Sequence, residues 1–456
     1  MNHLRSRILL GTVAFGLIGL SGSLQGCSGA GGQDPALQPW FATDPLVAEI
    51  VGQISRENIE TILKGMESFE TRHTQSESES DTRGIGGARR WLMEQVKAYS
   101  PRLEVYLDSW VSDADTPGRL PEGTELMNVT AVLPGTHPEL SKQHIILSGH
   151  YDSLNLDQPL EGDTYERRDP NRPAPGVNDD ISGVAVAMEC ARVFSQYEFP
   201  KTLVFVGFVA EEQGLVGASL LARKMKAEGK EIEAVLNMDM IGSSVRGGGA
   251  PSQPTTVRLF SDGPEDSPSR QIARFMEMIG ERYVPEQDID LIFRRDRFGR
   301  GGDHTAFNGE GFPGVRLVEA NEDYNNQHSY NDTFANLDMD YLMRNARIEA
   351  VTAATLALAP SAPAPAGLGR GEGYDAQVRF MPAVGEGITG YVIALRSTTS
   401  PRWEEYRWVG IPEMVTGGRR EYMQVTFPHM DIDEIVVGVA AVGGSGRPSL
   451  ISAFLR

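Results

Sequence analysis

Between residues 45 and 360, short apolar runs alternate with amphipathic stretches. Runs at 127–133, 144–148, 202–209, 234–240, 257–261 and 314–318 predict strands. A period near 3.6 over 85–99, 184–196, 218–228, 267–282 and 341–358 predicts helices. Several strands lack polar alternation altogether, Leu203-Val-Phe-Val-Gly-Phe-Val209 most clearly. A strand reads that way when both of its faces are covered, as in parallel sheets flanked by helices. The alternation therefore predicts an α/β domain over 45–360, with a mixed, mostly parallel sheet between helices.

The pattern changes after residue 360. Residues 361–371 are rich in Pro, Ala and Gly and read as a linker. Beyond it, 376–381, 390–396, 404–410, 422–427 and 435–441 predict short strands between turns, with no helical period. That is the pattern of a small all-β sandwich over 372–456. The stretch Val436-Val-Gly-Val-Ala-Ala-Val-Gly-Gly-Ser-Gly-Arg-Pro-Ser449 resembles the end of a fibronectin type III module.

At the other end, Arg5 and Arg7 precede an apolar run from Ile8 to Leu20, which is short for a membrane span. Leu24-Gln-Gly-Cys27 follows and resembles a bacterial lipobox. The resemblance implies a signal peptide over 1–27, lipidation of Cys27, and a flexible tether over 28–44 that begins Ser28-Gly-Ala-Gly-Gly32. The expected product is an exported lipoprotein on the outer membrane or cell surface. It would face the periplasm or exterior and touch the membrane through the anchor alone.

Charge and cysteine content narrow the choices. The net charge of −20, from 42 basic and 62 acidic residues among 456, repels a polyanion and argues against nucleic acid as a partner. Cys27 and Cys190 are the two cysteines, too few for a disulfide framework. Cys190 sits in an apolar run and reads as a buried, inert thiol.

The candidate chemistry lies just beyond the strands, where α/β sheets bind ligands. His150-Tyr-Asp152 ends the second apolar run, with Asp152 placed to fix the ring of His150. Asn178-Asp179-Asp180-Ile-Ser-Gly183 joins a loop to a helix. Glu211 and Glu212 follow a fully apolar strand, where adjacent carboxylates call for neutralising cations. Asp239 stands in an apolar strand, and His328 follows the last one. Such N/O donors suit zinc, with cobalt or manganese as substitutes. Five ligands exceed the needs of one catalytic zinc, whereas two ions sharing a carboxylate use all five.

The order His-x-Asp, Asn-Asp-x-x-Ser-Gly, Glu-Glu, Asp-Met-Ile-Gly and His resembles the M28 metallopeptidases of the bacterial leucyl aminopeptidase type, over residues 45–360. The resemblance implies a zinc exopeptidase fold and peptide substrates. One ion would sit on His150, Asp179 and Asp239, and a second on Asp179, Glu212 and His328. Asp179 would bridge, Glu211 would act as general base, and Asp152 would orient His150. The Asp179–Asp180 bond is expected to be cis. Gln327 stands where some members carry a transition-state tyrosine, so that role passes to Tyr330, Tyr324 or Arg300. Gly301-Gly-Asp-His304 resembles a pocket-lining segment, with His304 supporting the ligands rather than joining them. The loop 153–175 is expected to narrow the mouth. Two other readings compete: a single-zinc glutaminyl cyclase-like enzyme, and a non-catalytic lipid-anchored binding protein.

Overall fold

The computed structural model describes residues 42–157, 169–245, 253–417 and 420–455. Cys27, the export signal and most of the tether lie outside these residues.

An eight-stranded mixed sheet organises the first domain. Its strands are β1 (Glu104–Val111), β2 (Glu125–Leu133), β3 (Gln143–His150), β4 (Thr202–Phe208), β5 (Glu231–Met238), β6 (Thr256–Ser261), β7 (Asp288–Ile292) and β8 (Gly314–Glu319). They run in the order β1-β2-β4-β3-β5-β8-β6-β7. The central strands β4, β3, β5 and β8 are parallel, whereas β1, β2 and β6 pair antiparallel with their neighbours toward the centre.

Both faces of the sheet are buried, and this explains the unbroken apolar runs. Ile145, Leu147, Leu203 and Phe205 face a core with α1 (Pro45–Gly52), α2 (Arg56–Glu67), α3 (Gly84–Lys97), α4 (Ser182–Phe194), α6 (Pro268–Tyr283) and α8 (Met339–Leu358). Ile146, Val204, Val206 and Phe208 face the other side, against α5 (Val216–Ala227) and Phe307 of α7 (Asp303–Gly309). Cys190 is buried in α4.

A sandwich follows. One sheet has the order β13-β14-β10-β9 and the other β12-β11-β15-β16. The strands are β9 (Pro365–Arg370), β10 (Ala376–Phe380), β11 (Gly390–Ser397), β12 (Glu405–Val409), β13 (Met414–Gly417), β14 (Arg420–Phe427), β15 (Ile435–Val442) and β16 (Ser452–Ala453). Val378 and Phe380 from one sheet meet Ile393, Val437 and Val439 from the other in a shared core.

One reading from composition needs correction. Most of the stretch read as a linker, 361–371, is strand β9, paired antiparallel with β10. Pro and Gly mimic a linker here because an edge strand leaves one row of backbone groups unpaired and so tolerates Pro365. The sandwich therefore begins at Pro365 rather than at 372. It is also docked rather than loosely tethered: Arg396 of β11 reaches Asp266 at 2.6 Å, Arg274 of α6 donates to the Pro401 carbonyl at 2.6 Å, and Trp403 donates to Gln271.

Candidate metal centre

The carboxyl ends of β3, β4 and β5 converge on one crest. His150 is the last residue of β3, Glu211 and Glu212 follow β4, and Asp239 follows β5. Asp179 arrives on the turn into α4, where the Asp179–Asp180 peptide is cis. His328 comes from the loop after β8.

The turn is held by buried hydrogen bonds. Asp180 accepts from the amides of His150, Gly183 and Met240 at 3.0, 3.0 and 3.1 Å, joining the ends of β3 and β5 to the start of α4. Gly149 makes room for it, since a Cβ there would lie 2.6 Å from Asp180 Oδ2. Asp332 accepts from the amides of Asn178 and Asp179 at 2.7 and 3.0 Å. Ala210, Met240 and His328 hold positive φ angles of 58°, 58° and 54° beside the converging side chains. Non-glycine residues adopt that conformation where surrounding structure enforces it, commonly at functional sites.

Asp179 presents one carboxylate oxygen to each imidazole. Its Oδ1 lies 3.0 Å from His150 Nε2 and its Oδ2 lies 3.0 Å from His328 Nε2. His328 Nε2 is also 2.9 Å from Glu212 Oε1. Ligand atoms of His150, Asp179 and Glu212 lie within 4.8 Å of one another, as do those of His150, Glu211 and Asp239. His328 therefore joins Asp179 and Glu212 through its close contacts.

Asp152 does more than face His150. Its backbone carbonyl, at 3.1 Å, is the nearer partner of His150 Nδ1, with its carboxylate at 3.6 Å. The carboxylate itself accepts from the amides of Glu211 and Glu212 at 3.1 and 3.2 Å, so it fixes both glutamates.

The charges on the crest do not balance. Burial raises the Glu211 carboxyl well above its usual range, with the carboxylates of Glu212, Asp239 and Asp303 adding to the rise and His150 opposing it. Burial likewise raises Glu212. Asp303 is buried with no hydrogen bond to either oxygen, and burial pushes it up as well. Burial opposes charging of Asp179, yet the hydrogen bonds with His150 and His328 outweigh it and hold its carboxyl well below the usual range. A crowd of buried acids around two imidazoles fits cations better than it fits protein alone. The residues present fit zinc: two nitrogen donors and three carboxylates can be shared by two ions.

A cavity of about 440 Å³ opens over the crest. A larger one, about 530 Å³, lies on the sandwich along β9 and holds none of these groups. Arg300 lines the crest cavity, with Gln327 and His328. Tyr324 and Tyr330 are not among the lining residues: Tyr324 is exposed, and the Tyr330 hydroxyl accepts from Arg172. Tyr324 nonetheless lies against the cavity's Arg300, whose guanidinium is 6.0 Å from the centre of its ring. The pattern of side chains near His328 gave no cue to this, because loop residues carry no periodicity. His304 is buried away from the cavity, bonded to the Arg295 carbonyl at 2.8 Å, and burial lowers its pKa to about 4. Leu154 and Leu156, at the start of loop 153–175, line the cavity; residues 158–168 lie outside the described ones.

Three residues take roles beyond those expected from the sequence. Gln327 donates to Asp179 Oδ2 at 2.8 Å. Asp303 is buried within electrostatic reach of His150, Asp152 and Asp239, whereas its neighbour His304 in Gly-Gly-Asp-His is the more conspicuous side chain in the sequence. Arg316 of β8, fully buried, lies 3.0 Å from Asp239. A lone arginine inside an apolar strand was a readable signal, since such a charge needs a buried partner.

Residues 128–353 match Peptidase family M28. A probable zinc metalloprotease of Pyrenophora tritici-repentis is 33% identical over 439 residues, covering 89% of this chain and 96% of that protein. A second, from Leptosphaeria maculans, is 31% identical over 440 residues, covering 90% and 96%. Residues 1–360 make up less than four-fifths of the chain, so these similarities continue into the sandwich. Among solved structures, LapB of Legionella pneumophila has a TM-score of 0.53 at 20% identity, covering 70% of this chain and 76% of that one. A glutaminyl cyclase of Macrostomum lignano has a TM-score of 0.51 at 15% identity, covering 68% and 92%. At these identities the two structures speak for the fold alone.

Proposed function

Given that the chain belongs to peptidase family M28, we propose that it is a two-zinc exopeptidase, an aminopeptidase that removes N-terminal residues from peptides. The observation that carries this reading is the placing of Asp179, one carboxylate oxygen toward each of two imidazoles. A carboxylate that serves two ions needs that disposition.

His150, Asp179 and Asp239 would hold one ion, and Asp179, Glu212 and His328 the other. Bound zinc supplies Lewis-acid polarisation of the scissile carbonyl and lowers the pKa of water toward about 7. Glu211, at the cavity floor, takes the proton of the attacking water and hands it to the departing amine. Burial and its carboxylate neighbours favour a protonatable Glu211, which suits a general base that must also act as acid. Asp152 keeps Glu211 and Glu212 in place through their amides. The acid-rich crest offers the substrate's free ammonium a partner. Glu211→Gln tests the assignment: turnover is lost while zinc content stays at two, and near-normal turnover would refute it.

A single-zinc, glutaminyl cyclase-like enzyme is the second reading. It draws on the ion pair between Arg316 and Asp239, which neutralises one proposed ligand without metal. Zinc stoichiometry separates the two.

We further assign the sandwich as a fibronectin type III-like module and residues 1–27 as a lipoprotein signal. The export signal would place the enzyme on the outer membrane or cell surface. Among the described residues, no helix is long and apolar enough to cross a membrane. Cys27→Ala should move the protein from the membrane to the soluble fraction, and unchanged fractionation would remove the anchor from the account.

A further inference from the structure

The crest cavity has a second wall that the proposed hydrolysis does not use. Arg119, Arg297 and Arg300 line it alongside Leu154, Leu156 and Leu215. Two of these arginines come from the run Arg294-Arg-Asp-Arg-Phe-Gly-Arg300, with four guanidiniums in seven residues.

A buried carboxylate organises the run. Glu322 receives Arg258 at 2.9 Å, Arg297 at 2.7 Å and Arg300 at 3.0 Å. Asp296 takes Arg297 at 2.9 Å and Arg316 at 3.1 Å. Arg258, Arg297, Arg300 and Arg316 therefore share Glu322 and Asp296, since Asp239, the other partner of Arg316, belongs to the proposed metal site. Behind the cavity wall, four guanidiniums thus meet two carboxylates, a local surplus of positive charge.

Arg300 is the member placed to use it. Its side chain is 35% exposed, against 11% for Arg297. It commits Nη1 to Glu322 and lies 6.0 Å from the centre of the Tyr324 ring, while its Nε and Nη2 show no hydrogen-bond acceptor among the described residues. Gly299, at φ 68°, and Gly301 flank it and let the backbone bring it to the cavity. Glu322 thus holds a guanidinium in position and leaves two donors for something else. A planar guanidinium with adjacent free N–H groups matches a carboxylate bidentately.

We propose that Arg300, backed by Arg297 and Arg119, selects substrates with a carboxylate close to the scissile bond. That carboxylate is either the side chain of an N-terminal Asp or Glu, or the free C-terminus of a dipeptide. The inference rests on the peptidase reading for the identity of the bond broken, but not for the binding of the carboxylate.

The test uses the full-length, zinc-loaded protein. The kcat/KM values of Glu, Asp, Leu and Lys 4-nitroanilides identify an acidic side chain as the preferred group. Leucyl-glycine against leucyl-glycinamide identifies a free C-terminus. One of the two acidic series should exceed its neutral counterpart at least about tenfold, a margin one bidentate charge-assisted contact supplies. In Arg300→Gln this ratio should collapse toward one, chiefly through KM, with Arg300→Lys intermediate and both variants melting near the wild type. Arg119→Gln should reduce the same ratio more weakly. Calorimetry in the inactive, zinc-retaining Glu211→Gln background gives an independent readout: L-glutamate or leucyl-glycine binds more tightly than leucyl-glycinamide, and adding Arg300→Gln removes the difference. Preference for Leu nitroanilide together with leucyl-glycinamide would overturn the proposal while leaving the peptidase reading intact. So would an equal loss of kcat on all substrates in Arg300→Gln, which would make Arg300 a transition-state group. Carboxylate binding that depends on Arg300, with no peptide cleaved, would support the proposal and remove the peptidase reading.

Discussion

Two regions of this molecule bury charge, and they do it in opposite ways. Where the sandwich meets α6, each carboxylate has its guanidinium: Arg396 with Asp266, Arg274 with Asp266 and Glu265, Arg402 with Glu277. On the crest of the sheet, Asp179, Glu211, Glu212, Asp239 and Asp303 crowd around two imidazoles and Arg316. Balanced buried charge needs nothing from outside. Unbalanced buried charge is stable only if its acids protonate or cations arrive. The first arrangement docks a domain; the second waits for metal.

The contrast can be broken at either place. The largest expected effect is that of Glu211→Gln, which should reduce kcat by about 10²–10⁴-fold, the usual worth of a positioned acid–base group. The variant should keep its zinc and melt no lower than the parent, because it removes a carboxyl that burial has already pushed up. The matching change at the interface, Arg396→Ala, leaves Asp266 short of a partner and should cost about 3–5 kcal/mol in unfolding free energy. Its kcat per folded molecule should be unchanged, which denaturant titration and a parallel assay would establish. For the same reason, a chain ending after Ala359 should hydrolyse an amino-acid amide but melt well below the full protein. A folded, zinc-loaded but inactive truncation would mean that the sandwich helps build the site.

A smaller effect concerns pH. Glu211, Glu212 and Asp303 have folded-state pKa values raised by burial when no metal is present. Such groups favour folding below the unfolded carboxylate value of about 4.3, and that contribution is lost as pH rises through the folded values. Metal-free protein should therefore lose stability relative to the zinc-loaded form as pH rises above about 4.3 and through the raised folded-state values. Zinc binds the folded state and removes the penalty. Melting temperatures with and without chelator across that range would measure the gap, and a gap independent of pH would contradict this account.

How much of this was legible follows the same division. The strands β2 to β5, β6 and β8 are readable because both faces are buried, so their apolar runs are unbroken and carboxylates at their ends stand out. His150, Glu212 and Asp239 belong to that class. The helices α1 and α2 were missed, although Asp44 before Pro45 and Ser55 before Arg56 are capping signals. β1 shows alternating exposure at an edge and left only a faint pattern. β9 was hidden by its Pro and Gly. The interface was illegible because Arg274 and Glu277 on a helix look like a solvated face until a second domain covers them. Arg300 could be singled out, but its role on an arginine wall depends on Glu322, over twenty positions away and beneath it.

On the proposed function, this crest holds two ions around Asp179. The measurement that tests it most directly is a zinc titration of chelator-treated, dialysed protein, following hydrolysis of an amino-acid amide alongside bound metal. The account expects activity to saturate only when two zinc ions are bound per chain, and Asp179→Asn to lose both. Full activity at one equivalent would contradict the two-metal centre and favour the single-zinc reading.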